Sequence, residues 1–136
     1  MKLDRIDKKL LGLIEKIINI SEETLKESKQ LPPTLLIFES NGKESLHRFA
    51  EGNMKELQVK AQEYIKENAK KILYCALSYD GTVTISSNKT DAIIVIGYGK
   101  NEEDAYIFAE KYCKDEKNIK FDGEISFIDQ EKNLLK

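Results

Sequence analysis

The chain has 136 residues, of which 40% are hydrophobic and 34% charged, and its formal net charge is −2. That length suits one domain able to bury a core without disulfide or metal staples. Apolar clusters recur along almost the whole chain, which excludes global disorder. Arg5 and Arg48 are the only guanidinium groups, the isoelectric point is near 5.6, and lysines alternate with acids, as in Lys26-Glu27. Binding to a nucleic-acid backbone is therefore disfavoured.

Met1 to Glu15 is charged and amphipathic rather than signal-like. The longest apolar run, Ala92 to Gly97, falls far short of the roughly 20 residues that span a bilayer. Cys75 and Cys113 are far apart and form no metal-type pair. A reducing, cytoplasmic setting without membrane attachment is the expectation.

Leu3, Ile6, Leu10, Leu13, Ile17 and Ile20 recur at alternating spacings of three and four, the stripe of a long N-terminal amphipathic helix. Leu11, Ile14 and Ile18 widen that stripe to suit packing on a sheet. Ser21 and its neighbours suggest a break there with a restart to Gln30, and Pro32-Pro33 ends this helical region of residues 1–30. Thr34 to Glu39 reads as a strand, Asn41-Gly42 as a tight turn, and Glu44 to Phe49 as the return strand. Asn53 opens a second helix with Met54, Leu57, Ala61, Tyr64 and Ile65 on its apolar face.

Ile72 to Tyr79 reads as a strand, Asp80-Gly81 as a hairpin turn and Thr82 to Ser87 as its partner, which points Val83 and Ile85 to the main core. Ala92 to Ile96 is apolar without alternation, the pattern of a strand covered on both faces. Asn101 then suits the N-cap of a third helix through Lys114, with Ala105, Phe108, Ala109 and Tyr112 inward. Ile119 to Ile128 makes a last short strand or hairpin, and the tail 129–136 is expected to fray. The order is α-ββ-α-βββ-α-β: a single α+β domain with a mostly antiparallel sheet.

The chemistry-bearing side chains are sparse. His47 is the only histidine, which removes mechanisms needing two and argues against zinc. Its ordinary role is a hydrogen-bonded histidine at the edge of a core. Cys75 sits among apolar strand residues, and Cys113 stands at the helix end where the dipole does not activate a thiol. Gly97-Tyr98-Gly99-Lys100 lacks the spacing of a phosphate loop, and Glu102 to Asp104 would repel an anion there. It reads instead as a flexible strand exit. The triplets Glu27-Ser28-Lys29 and Gln130-Glu131-Lys132 resemble nuclease patterns only by composition, since neither is held on a rigid pair of strands. Tyr74, Tyr79 and Tyr98 lack the basic groove that stacking on bases requires.

No catalytic residue, cofactor or metal is expected. What remains is surface: if all three helices share one sheet face, the side bearing Leu73 and Leu77 stays partly bare, and bare apolar patches mark interfaces. The reading is a non-catalytic interaction, regulatory or accessory module that binds a protein partner or pairs with itself as a homodimer. The alternative is a small enzyme or ligand-binding domain with a pocket near His47, Tyr79 and the Gly97 to Lys100 loop. His47, Leu73, Leu77, Tyr79 and Tyr98 are the candidate pocket or interface residues. A weaker third option is nucleic-acid contact through Lys66, Lys70 and Lys71.

Overall fold

A computed structural model describes residues 6–115 and 118–136; the stripe position Leu3 lies outside them. Its architecture is α+β, with two helices and a six-stranded, wholly antiparallel sheet. Helix α1 (Lys8–Ser28) begins at Asp7, whose carboxylate accepts a hydrogen bond from the Lys9 N–H, and ends at Lys29 in the left-handed conformation. It runs through Ser21 without the expected break, because Ser21 turns inward and donates to the Ile17 carbonyl one turn back. Helix α2 (Met54–Glu67) starts at the expected cap: Asn53 accepts from the Glu56 N–H and donates to the Glu56 carboxylate.

Strands β1 (Thr34–Glu39), β2 (Glu44–Arg48), β3 (Ile72–Ile85), β4 (Asn88–Gly99), β5 (Asp104–Lys114) and β6 (Ile119–Lys132) lie in the order β2-β1-β3-β4-β5-β6. The first hairpin turns at Asn41-Gly42, but over three residues rather than two: Glu39 N–H bonds the Lys43 carbonyl and Gly42 has φ 89°. In the resulting register His47 stands opposite Leu35.

Two larger corrections follow along the chain. Asp80-Gly81 is not a turn. Strand β3 continues through it, and the reversal comes at Ser86 and Ser87, both at positive φ, with Ile85 opposite Asn88. Ala76 therefore pairs with Gly97 and Ser78 with Val95. Val83 joins a small satellite cluster rather than the main core. The third helix does not exist either: Asp104–Lys114 is strand β5, paired with β4 and β6. The order is thus α-ββ-α-ββββ. The tail does not fray, since β6 reaches Lys132 and both Asn133 and Leu135 are buried.

Alternation along the strands sends residues to two faces. Leu36, Tyr74, Ala76, Ile93, Val95, Tyr106 and Phe108 pack against α1. Leu35, Cys75, Leu77, Ile96, Tyr98 and Ala105 pack on the other side with Ala61 and Ile65 of α2 and with Leu135. Helix α1 crosses β4 where Gly97 removes a side chain: a Cβ there would lie 2.7 Å from Ile14 Cδ1. Gly97 and Gly99 are strand residues without positive φ, so they serve close approach of the helix rather than a flexible exit.

Candidate functional site

The residues singled out from the sequence fall mostly inside the protein. Leu77 and Tyr98 are fully buried on the α2 side. Leu73 is partly buried against the opposite, α1 cluster. His47 packs on Tyr64 of α2 with ring centroids 4.9 Å apart and hydrogen-bonds Ser45 at 3.1 Å. Tyr98 donates to Glu131 at 3.3 Å, and burial, ahead of the Glu131 charge, pushes its hydroxyl far above its ordinary range. Tyr79, partly buried like His47 and Leu73, lies beside Val83, Ala92, Ile94, Ile107 and Ala109.

The Gly97 to Lys100 segment belongs to a structural knot. Glu102 accepts hydrogen bonds from the Asp7 N–H at 3.0 Å and the Tyr106 hydroxyl at 2.9 Å. Tyr74 donates to Asp7 at 2.8 Å, and that bond, before the Lys9 N–H, holds the Asp7 carboxyl below the usual range. Asn133 donates at 2.8 Å to the carbonyls of Gly99 and Glu102. These bonds tie the start of α1, the β4–β5 turn and the chain end together. Glu102, which follows the Asn101 expected to cap a third helix, instead receives two donors here.

Two features stand apart from the closed core. The first is the far end of the sheet on the α2 side. The cluster of Ala92, Ile94 and Ala109, with Tyr79, Val83 and Ile107, contains no helical residue among those described. Beside it a groove of about 340 Å³ runs between Val83 and Ile128 over Ala109, edged by Thr82, Thr84, Ser126 and Lys111. Lys111 also borders a neighbouring cavity of about 520 Å³ with Asn88, Thr90, Cys113, Lys120 and Asp122. Ile128 is 49% exposed, the highest value among the exposed large hydrophobic residues described. Sequence reasoning missed this surface because it assigned Ala109 and Lys111 to a helix.

The second feature is a buried carboxyl on β5. Glu110 is only 2% exposed, and its Oε1 has no hydrogen-bond partner. Burial comes first, then Glu22 and the Asp122 charge, in raising the Glu110 carboxyl to about 8, against the lowering effect of the Gly123 N–H. A strand reading would have exposed the anomaly, since Glu110 alternates with Phe108 and Tyr112 on one face.

The two thiols differ: Cys75 is buried, with burial pushing its thiol well above the ordinary range, whereas Cys113 is exposed at the end of β5. Among the described residues no three His, Cys, Asp or Glu side chains converge in a way that could hold a metal ion, and no helix is long and apolar enough to cross a membrane. Comparison with protein-family models, with curated proteins and with solved structures gave no match to this chain.

Proposed function

We propose that the chain is a non-catalytic, cytoplasmic binding module whose partner is another protein, docked on the open end of the sheet beside α2. One observation carries this reading: among the described residues the cluster around Ile94 and Ala109 contains no helical side chain, although the rest of the same face packs with α2 and Leu135. Ala92, Ile94 and Ala109 are themselves buried, and beside them an apolar groove opens with Ile128 at its wall. An apolar side chain of a partner fits such a groove, since fully desolvated anchors in pockets dominate protein interfaces.

Charge favours a different protein over a second copy. Strand β6 carries Asp122, Glu124, Asp129 and Glu131 against Lys120 and Lys132. A two-fold interface brings the same patch against itself, so self-pairing would set acid against acid. A partner with lysine or arginine around its apolar anchor is complementary. Addition of a partner strand to the β6 edge is a poorer fit. Register shifts opposite Ile107/Phe108 and Glu110/Tyr112 interrupt the edge, a common device against strand pairing.

The test compares three tagged chains expressed in the native host: wild type, Ile128→Asp and Val59→Asp, the last placing a charge at an exposed apolar site on α2. A stoichiometric protein should accompany wild type and Val59→Asp and be lost from Ile128→Asp. Equal retention by all three, or no partner at all, overturns the reading. A stable dimer of the isolated chain overturns the choice of a different protein over a second copy.

A further inference from the structure

We propose that the cleft between the β3–β4 and β5–β6 hairpins is a binding site for a small organic anion with a flat apolar body. The cleft arises from the strand pairing. The β4–β5 ladder ends at Ala92 and Lys111. Beyond it β4 stays with β3 as far as Asn88, and β5 stays with β6 as far as Lys114. The β5–β6 register shifts between Glu110 and Tyr112, and such a bulge adds twist that turns one hairpin away from its neighbour. A cavity of about 520 Å³ lies where the two part, a size common for small-molecule sites.

The lining carries the chemistry for such a ligand. Tyr112 and Phe121, with rings 6.0 Å apart, supply apolar surface. The Tyr112 hydroxyl is committed to Asp80 at 2.6 Å, so this residue offers its ring rather than a donor. From the other hairpin, Asn88 and Thr90 supply an amide and a hydroxyl. Lys111 and Lys120 are the cations of the lining and Asp122 is its acid. Lys111 is paired to Asp122 at 3.6 Å, whereas Lys120 has no ion pair among the described residues. One positive charge in the lining is therefore uncompensated, although the whole chain has a net charge of −2. That surplus selects an anion, the two rings select an apolar body, and the volume selects a small molecule.

This site goes beyond the protein-docking groove, with which it shares only the Lys111 side chain. It also holds its own reporter. Cys113 lines the cavity, stands opposite Lys120 in the β5–β6 register and is exposed, whereas the other thiol, Cys75, is buried. Alkylation with N-ethylmaleimide therefore marks this cleft and not the core.

The test uses two fluorescent dyes, the anion anilinonaphthalene sulfonate and phenylnaphthylamine, which has the same rings without the sulfonate. The wild-type chain should bind the anion saturably, one per chain, and more tightly than the uncharged dye. At about ten times its Kd the anion should slow Cys113 alkylation about tenfold, and chain already alkylated should not bind it. Lys120→Gln should weaken binding about fivefold, and Lys120→Arg should not. Lys120 is exposed, so neither variant disturbs the core. Absence of saturable binding, Cys113 alkylation unchanged by the anion, equal affinity for the two dyes, or wild-type affinity in Lys120→Gln each overturns the proposal.

Discussion

The hydroxyl of Tyr112 donates a 2.6 Å hydrogen bond to the carboxylate of Asp80, joining the C-terminal end of β5 to β3 across β4. Tyr112 is 4% exposed, and burial followed by this bond pushes its hydroxyl well above the ordinary range. The contact also explains why Asp80 sits in a strand. Its side chain is held on the α1 face by a partner that the local sequence does not reveal.

Removing the hydroxyl should therefore destabilise the sheet. Tyr112→Phe keeps the ring against Phe121 and loses one bond to a charged acceptor, an expected cost of about 1–2 kcal/mol. Asp80→Ala should cost at least as much, because it leaves a buried hydroxyl without an acceptor. Urea denaturation of both variants measures this. A Tyr112→Phe midpoint equal to wild type would show that the bond contributes nothing.

A second buried contact offers a cleaner measurement. Ser21 and Ser78 are both fully buried, with their hydroxyls 2.8 Å apart. Ser21 spends its proton on the Ile17 carbonyl at 2.7 Å, which leaves Ser78 as the donor between them. Ser21→Ala strands the Ser78 hydroxyl and should cost about 1–3 kcal/mol, and Ser78→Ala should cost less. The double variant removes both polar groups and should be far less destabilised than the sum of the singles. Additive losses in a double-mutant cycle would refute the pairing.

Much of the first half of the fold is legible in the residues, and the reasons for failure later on are physical. The α1 stripe and the Asn53 cap depend on spacing and on local hydrogen bonds, both of which lie within a few residues of chain. Strand β5 is different. It is buried on both faces, so Ala105, Tyr106, Phe108, Ala109 and Tyr112 are all inside, and a subset at spacings of three and four imitates a helix. The run Tyr106-Ile107-Phe108 was the strand signal. Asp80-Gly81 misleads for a related reason. A Cβ on Gly81 would lie 2.8 Å from Ile94 Cγ1, so that glycine serves cross-strand packing, while two serines make the turn. The candidate surfaces inherit these errors: the groove at Ile128 and the buried Glu110 carboxyl exist only once residues 104–114 are a strand.

The glycines supply the last contrast, between one that the fold needs and one that it does not. Gly97 lies under α1, where an added Cβ would stand 2.7 Å from Ile14 Cδ1 and 3.4 Å from Leu10 Cδ1. Gly97→Val should force the helix outward and cost about 1–3 kcal/mol or more. Gly12 sits inside α1 with no atom within 4 Å of where a Cβ would be. Gly12→Ala removes backbone freedom from the unfolded chain without a clash, and should stabilise by about 0.5–1 kcal/mol. Thermal or urea denaturation of the two variants should move the midpoint in opposite directions. A destabilised Gly12→Ala would mean that the outer side of α1 is occupied, because free solvent there gives an added methyl group nothing to collide with.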